Sequence, residues 1–213
     1  KTKLQELAIK GESIFTNKVA KQRFPIAKAS QIQLIVNEYT NVKDKKGKFK
    51  REKLPEDKIK ELWESKKRIA LNIIDTLKKS QKLEHDFKVN VQTFSDDMKS
   101  KTKGGDLGWL VKGVDFKRFT NLESVIFSKD KKGLIEKPIK TDLGYHIIYV
   151  TEPAQKKSVE EIVKLKDKRL ERRIRWMLMR QLIEEAQEKN QKVFYEMVEG
   201  TNLIKVNNKE MKL

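Results

Sequence analysis

The chain has 213 residues, 49 Lys plus Arg against 31 Asp plus Glu, and a formal net charge of +18 at pH 7. Apolar residues make up 37% and charged residues 38%, a balance that predicts a folded chain with a thin core. The absence of cysteine excludes disulfides, thiolate zinc sites and cysteine nucleophiles. His85 and His146 lie too far apart in sequence for a local metal motif, so neither metal nor cofactor is expected. No apolar run approaches the roughly 18 residues that a membrane-spanning helix needs.

Residues 1–20 place Leu4, Leu7, Ala8, Gly11, Ile14, Phe15 and Val19 at helical spacing, which predicts an amphipathic helix ended by Phe24-Pro25. Ala29 to Val36 reads as a strand with both faces half apolar, as suits a central position. Lys43 to Lys53 holds seven basic and two acidic residues around Gly47 without periodicity and reads as a basic loop. Leu62, Ile69, Ile73, Ile74 and Leu77 predict one helix, and Leu83, Phe87, Val91 and Phe94 a second, with a break near Ser80. Ser95-Asp96-Asp97 supplies capping side chains, and Gly104-Gly105-Asp106-Leu107-Gly108 reads as a loop. Trp109 to Val111 is a short strand at most, a further helix is expected over Asn121 to Phe127, and His146 to Thr151 reads as a strand. Beyond Pro153, an apolar stripe from Val159 to Ala186 predicts one long helix, whose stretch from Lys156 to Arg180 carries ten basic and four acidic residues. Val193 to Val198 and Leu203 to Val206, around Glu199-Gly200-Thr201-Asn202, predict a terminal hairpin.

Four pieces occur in a telling order: Ala29-Ser30-Gln31-Ile32, Phe94-Ser95-Asp96-Asp97, Gly104-Gly105-Asp106-Leu107-Gly108-Trp109, and Pro138-Ile139-Lys140-Thr141-Asp142-Leu143-Gly144-Tyr145-His146-Ile147-Ile148. Together they resemble the parvulin family of peptidyl-prolyl isomerases over residues 28 to 152. The resemblance implies an α+β fold in which a four-stranded antiparallel sheet is surrounded by helices. It also implies site residues. His146 matches the family's second active-site histidine, Asp97 the central acidic group and Thr141 a threonine of the same network. Gln31 stands where the family usually has its first histidine; it can donate and accept but cannot titrate, which predicts reduced activity. Leu107 matches the first residue of the proline pocket. The next stretch is about three residues longer than the family pattern, so Phe116, Phe119 and Leu122 compete for the other two places. Phe119 is preferred, and Phe127 reads as core. Tyr145 is expected to complete the wall.

Such a site needs no covalent step, because the obstacle to X-Pro isomerisation is a rotational barrier near 20 kcal/mol. Without the motif, His146 reads as a structural histidine and Ser95-Asp96-Asp97 as a turn; His85 reads as solvated, and Trp109 and Trp176 as packing residues. The basic loop reads as solvated too: it has one arginine, Arg51, where phosphate recognition favours arginine pairs.

The apolar stripe of the C-terminal helix must be covered, and the N-terminal helix is the obvious partner. Terminal helices packed beside an inserted parvulin domain look like the extracytoplasmic foldases of the SurA and PrsA type. The resemblance implies residues 1–27 as the N-terminal helix of a helical, chaperone-like module, 28–153 as the isomerase domain, and 154–213 as the C-terminal helix and hairpin. Expected partners are unfolded or proline-containing polypeptides rather than nucleic acid. Expected location is extracytoplasmic, periplasmic or at the envelope, with a signal segment ahead of Lys1. The alternative is a binding module with little catalysis.

Overall fold

The computed structural model describes residues 22–128, 131–188, 204–206 and 209–211. The helix expected over 1–20 and the strand expected over Val193 to Val198 lie outside the described residues. The chain divides into two units. One comprises Ala27–Gly108 and Phe116–Ala154, the other Lys1–Ile26, Trp109–Asp115 and Gln155–Leu213.

The sheet is built from β1 (Arg23–Ile35), β4 (Asp106–Val111), β5 (Gly133–Leu134), β6 (Ile139–Thr141) and β7 (Gly144–Ser158), in the order β4-β1-β7-β5 with β6 also paired to β7. β1 is central, as its doubly apolar pattern predicts. It also starts earlier than expected, running through Phe24-Pro25. β4 likewise begins at Asp106, inside the glycine-rich segment read as a loop. Five strands stand where four were expected. The reason lies at the outer edge of β7, where Gly133 and Leu134 pair with Val150 and Tyr149, and Ile139 to Thr141 pair with His146 to Gly144. β5 and β6 are thus one strand position interrupted at Glu136-Lys137-Pro138, where proline has no N–H to give to a ladder.

Alternation along β1 and β7 sorts side chains onto two faces. Ile32 and Leu34 of β1 and Tyr145 and Ile147 of β7 join Ala70, Ile73, Ile74 and Leu77 of α1 (Glu56–Lys78) and Phe87 and Val91 of α2 (Leu83–Phe94) in one buried cluster. The i, i+3, i+4 spacing of the α1 residues makes the apolar face that the sheet needs. Pro55 precedes α1, and Glu56 and Asp57 lie in its first turn, where acidic groups suit the helix dipole. Gln31, Gln33 and His146 fall on the opposite face. α3 (Met98–Lys101) and α4 (Thr120–Ile126) complete this unit, α4 burying Leu122 and Ile126 completely, with Phe127 at its C-cap nearly buried as expected.

The basic segment expected as a loop is a β-hairpin, β2 (Tyr39–Lys43) paired antiparallel with β3 (Phe49–Lys53). Asp44 closes the turn, its Oδ1 accepting from the backbone N–H of Lys46 and of Lys48. Local side-chain turn chemistry, which carries no hydrophobic period, is what the sequence pattern misses.

In the other unit, Phe24, Ile26 and Val111 pack with Val159, Ile162, Leu170, Ile174 and Leu178. The single long helix expected here is two, α5 (Val159–Lys164) and α6 (Lys168–Glu188). Ser158 and Glu161 form a capping box at the start of α5. Asp167 then starts α6, its Oδ1 accepting from Arg169 and Leu170 N–H, after Lys166 turns through a left-handed φ of 54°. The apolar stripe survives the break because both helices feed one core, and as far as Leu178 the strand residues Phe24, Ile26 and Val111 pack against it. A last hairpin pairs β8 (Ile204–Val206) with β9 (Lys209–Met211), so the predicted strand at Leu203 to Val206 has a partner downstream of it. Among the described residues, no helix is long and apolar enough to cross a membrane.

Candidate active site

The site is built on β1 at Gln31. The backbone of Ser95-Asp96-Asp97 is laced to β1 two residues further on. Gln33 N–H donates to Ser95 Oγ at 3.2 Å, Asp96 N–H donates to the Gln33 carbonyl at 2.7 Å, and Ile35 N–H donates to Asp96 Oδ2 at 2.9 Å. Asp96 also takes the Lys66 ammonium at 3.0 Å, so it fastens the segment rather than only capping it. This lacing brings Asp97 beside Gln31. Asp97 is also the N-cap of α3, its Oδ1 accepting from Lys99 N–H.

On the other side of Gln31, the glycine segment makes a close approach. Gln31 N–H donates to the Gly105 carbonyl at 2.9 Å, and a Cβ on Gly105 would lie 2.6 Å from the Gln31 carbonyl oxygen and 2.8 Å from Val91 Cγ2, at a φ of +85°. Only glycine fits. Gly144 is more constrained still: its Cβ would stand 2.0 Å from the Leu34 carbonyl oxygen at a φ of +140°. That approach sets β7 against β1 and delivers His146 to Gln31.

Four side chains then form one hydrogen-bonded chain with a fixed direction. Gln31 Nε2 donates to Asp97 Oδ2 at 2.8 Å, which leaves Gln31 Oε1 as an acceptor facing His146 Nδ1 at 3.1 Å. An amide oxygen cannot donate, so His146 carries its proton on Nδ1. Nε2 is therefore the acceptor, and Thr141 Oγ1 donates to it at 2.9 Å while receiving Leu143 N–H at 3.2 Å. Ser100 Oγ adds a 2.5 Å bond to Asp97 Oδ2. The polarity runs from the Leu143 amide to the Asp97 carboxylate, and every side-chain polar atom of His146 and Thr141 has a partner.

Electrostatics agree with that direction. Burial pushes His146 down to about 4, against the opposing pull of Asp97 and Asp142, so the imidazole is neutral at physiological pH. Burial works to raise the Asp97 carboxyl, but hydrogen bonds from Ser100, Gln31 and the backbone of Lys99 and Ser100 outweigh it and hold the group below the ordinary carboxylate range. The chain thus ends on an ionised, half-buried carboxylate.

The apolar candidates divide. The Phe119 ring lies 6.3 Å from the His146 ring, centroid to centroid, and is half-buried. Leu107 and Phe116 are half-buried in the same unit. Leu122 is fully buried in the core, which removes it as a surface that a substrate could touch. Tyr145 also drops out of the wall. Successive strand residues face opposite ways, and Tyr145 packs edge-on against Trp63 at 5.5 Å in the helix-side cluster, where Lys140, its register partner on β6, lies over the same Trp63 ring. Ser100 is the participant that sequence reasoning overlooked, although its position three residues after a capping aspartate was a legible signal. Arg118, which pairs with Asp142 and lies over the Phe119 ring, was also passed over. Among the described residues no cluster of acidic and histidine side chains could hold a metal ion.

Comparison with known proteins identifies the domain that holds these residues. Residues 53–152 match the rotamase family described as the PPIC-type PPIASE domain. Asp97, Thr141 and His146 lie inside the matched stretch, and Gln31 lies ahead of it. Foldase protein PrsA of Exiguobacterium sibiricum is 34% identical over 156 residues, 73% of this chain and 47% of the relative. Foldase protein PrsA 3 of Bacillus cereus is 29% identical over the whole chain and 65% of the relative. Chaperone SurA of Nitrosococcus oceani is 40% identical over 76 residues, 36% of this chain and 17% of the relative. The chain therefore spans 65% or less of the length of each of these relatives. At residues 53–152 the chain carries a PPIC-type domain of the parvulin peptidyl-prolyl isomerase family.

Proposed function

We propose that this chain isomerises X-Pro peptide bonds in unfolded or newly secreted polypeptides, as an extracytoplasmic foldase. Residues 28–153 would form the isomerase domain, and residues 1–27 and 154–213 a chaperone-like module beside it. The observation that carries the reading is the directed chain Thr141–His146–Gln31–Asp97 ending in a carboxylate, with the Phe119 ring beside the imidazole.

The chemistry follows from the amide itself. Rotation about C–N breaks resonance and makes the twisted state less polar than the planar one. An apolar surface at Phe119 and Leu107 that strips water from the proline ring therefore favours the twisted state. A fixed negative charge at Asp97, near the substrate carbonyl, destabilises the planar amide more, because its oxygen bears the larger partial charge. Gln31, His146 and Thr141 act by holding that carboxylate and the site floor in one geometry. No proton needs to move, which is why glutamine can stand at position 31 and keep the chain connected.

A proline-peptide isomerisation assay tests this. Turnover above the uncatalysed rate is expected, and His146→Ala and Asp97→Ala should each lower it while far-ultraviolet circular dichroism stays native. Gln31 supports one further reading, a binding module of low turnover: undetectable isomerisation together with suppressed aggregation of an unfolded client would replace the enzymatic conclusion with that one.

A further inference from the structure

The β2–β3 hairpin takes no part in the hydrogen-bonded chain of the site, and all ten of its strand residues are exposed. Its base is anchored: Leu54 N–H donates to the Glu38 carbonyl, and Trp63 Nε1 donates to Glu38 Oε1 at 3.1 Å. From that base the two strands project to a turn at Asp44–Lys48. The register places Tyr39, Asn41, Lys43, Phe49, Arg51 and Lys53 on one face, with Arg51 over the Tyr39 ring at 4.3 Å and Lys43 over the Phe49 ring at 5.3 Å.

The tip is one-signed toward solvent. Lys43, Lys45, Lys46, Lys48 and Lys50 surround it, while Asp44 turns its carboxylate onto the backbone of the turn and Glu52 pairs with Lys50 at 3.5 Å. Lysines on an exposed two-stranded ribbon are explained by protection of its open edges against aggregation. Phe49 is not explained that way. It is 71% exposed at the pair next to the turn, and Val42 is exposed on the opposite face.

We propose that the hairpin tip docks this chain on an anionic lipid surface, with Phe49 entering the headgroup region and the surrounding lysines neutralising lipid phosphates. Charge on both faces and around the turn suits a plane approached tip-first, whereas a bound acidic peptide would call for cations along one strand edge. An aromatic ring ringed by lysines has the two parts an interfacial anchor needs, an apolar element and cations that stay at headgroup level. The proposal does not depend on isomerase activity.

Vesicle co-sedimentation of the full chain tests it, using equimolar phosphatidylglycerol and phosphatidylcholine against phosphatidylcholine alone. Binding is expected only with phosphatidylglycerol and should weaken as salt rises. Replacing Lys45, Lys46 and Lys48 together by Ser should weaken it about a hundredfold, and Phe49→Ser roughly tenfold. Phe49→Trp should blue-shift its added emission on the anionic vesicles alone. No binding at low salt overturns the proposal, as does binding that survives the triple lysine variant. Equal affinity for polyglutamate with no effect of Phe49→Ser also overturns it and assigns the hairpin to acidic polypeptide.

Discussion

Acidification should destabilise this fold in a window that belongs to His146. The imidazole is 2% exposed and pushed down to about 4 by burial, against 6.5 in the unfolded chain. Between those values the unfolded state binds more protons than the folded one, so stability falls as pH is lowered. The difference of 2.5 units corresponds to about 3.4 kcal/mol once both states are protonated. At pH 5 about 2 kcal/mol of that is already lost. Asp97 contributes separately: its carboxyl is held below the ordinary 3.8, so the stability it adds persists above that value and is lost only as pH falls through its own folded pKa. The interval from about pH 6.5 to 4.5 therefore isolates the histidine. Urea melts followed by tryptophan fluorescence, at steps across that interval, should show the slope in the wild type and a flat line in His146→Gln. Nitrogen-detected imidazole spectra should place a proton on His146 Nδ1 throughout. Equal slopes in both proteins, or a His146 imidazole, assigned by its loss in His146→Gln, titrating near 6.5, would falsify the account of a buried neutral ring.

Gln31→Leu removes both links of the chain and strands the His146 Nδ1 proton in a buried place; a loss of about 2–4 kcal/mol is expected in urea melts, and a change under about 0.5 kcal/mol would show that the bonds carry little. Gln31→His restores a second imidazole beside Asp97 and should raise kcat/KM in the peptide assay; an unchanged value would mean that the glutamine costs no activity. Phe119→Ala should lower kcat/KM about tenfold with a native melt, and full activity would remove Phe119 from the proline surface. Gly144→Ala drives a methyl against the Leu34 carbonyl and should cost more than about 3 kcal/mol, read as a lost or sharply lowered melting transition; a melt like the wild type would mean that β7 can shift away.

Much of the site was legible because local pattern and spacing fixed it. The apolar period of Ile69 to Leu77 and of Leu83 to Val91 is that of the helices which cover the sheet, and Thr141 and His146 flank one short β turn. Where elements were misread, the deciding interaction was side chain to backbone. Asp44 folds a basic stretch into a hairpin, and Asp167, capping a new helix after the left-handed Lys166, divides one apolar stripe into two helices, because capping bonds leave no trace in hydrophobic periodicity.

Chain order and residue type by themselves determined the strand at Gln31, the carboxylate at Asp97, the glycines at 105 and 144, and the histidine at 146. Only the tertiary structure decided which of the nearby apolar residues face the site. Tyr145 adjoins His146 in sequence yet packs on the helix side, since side chains alternate across a strand, and Leu122 is drawn fully into the core. The direction of the hydrogen-bonded chain was likewise a tertiary result. It follows from the Asp97 carboxylate, which can only accept, meeting one end of the Gln31 amide and thereby fixing every proton as far as Leu143.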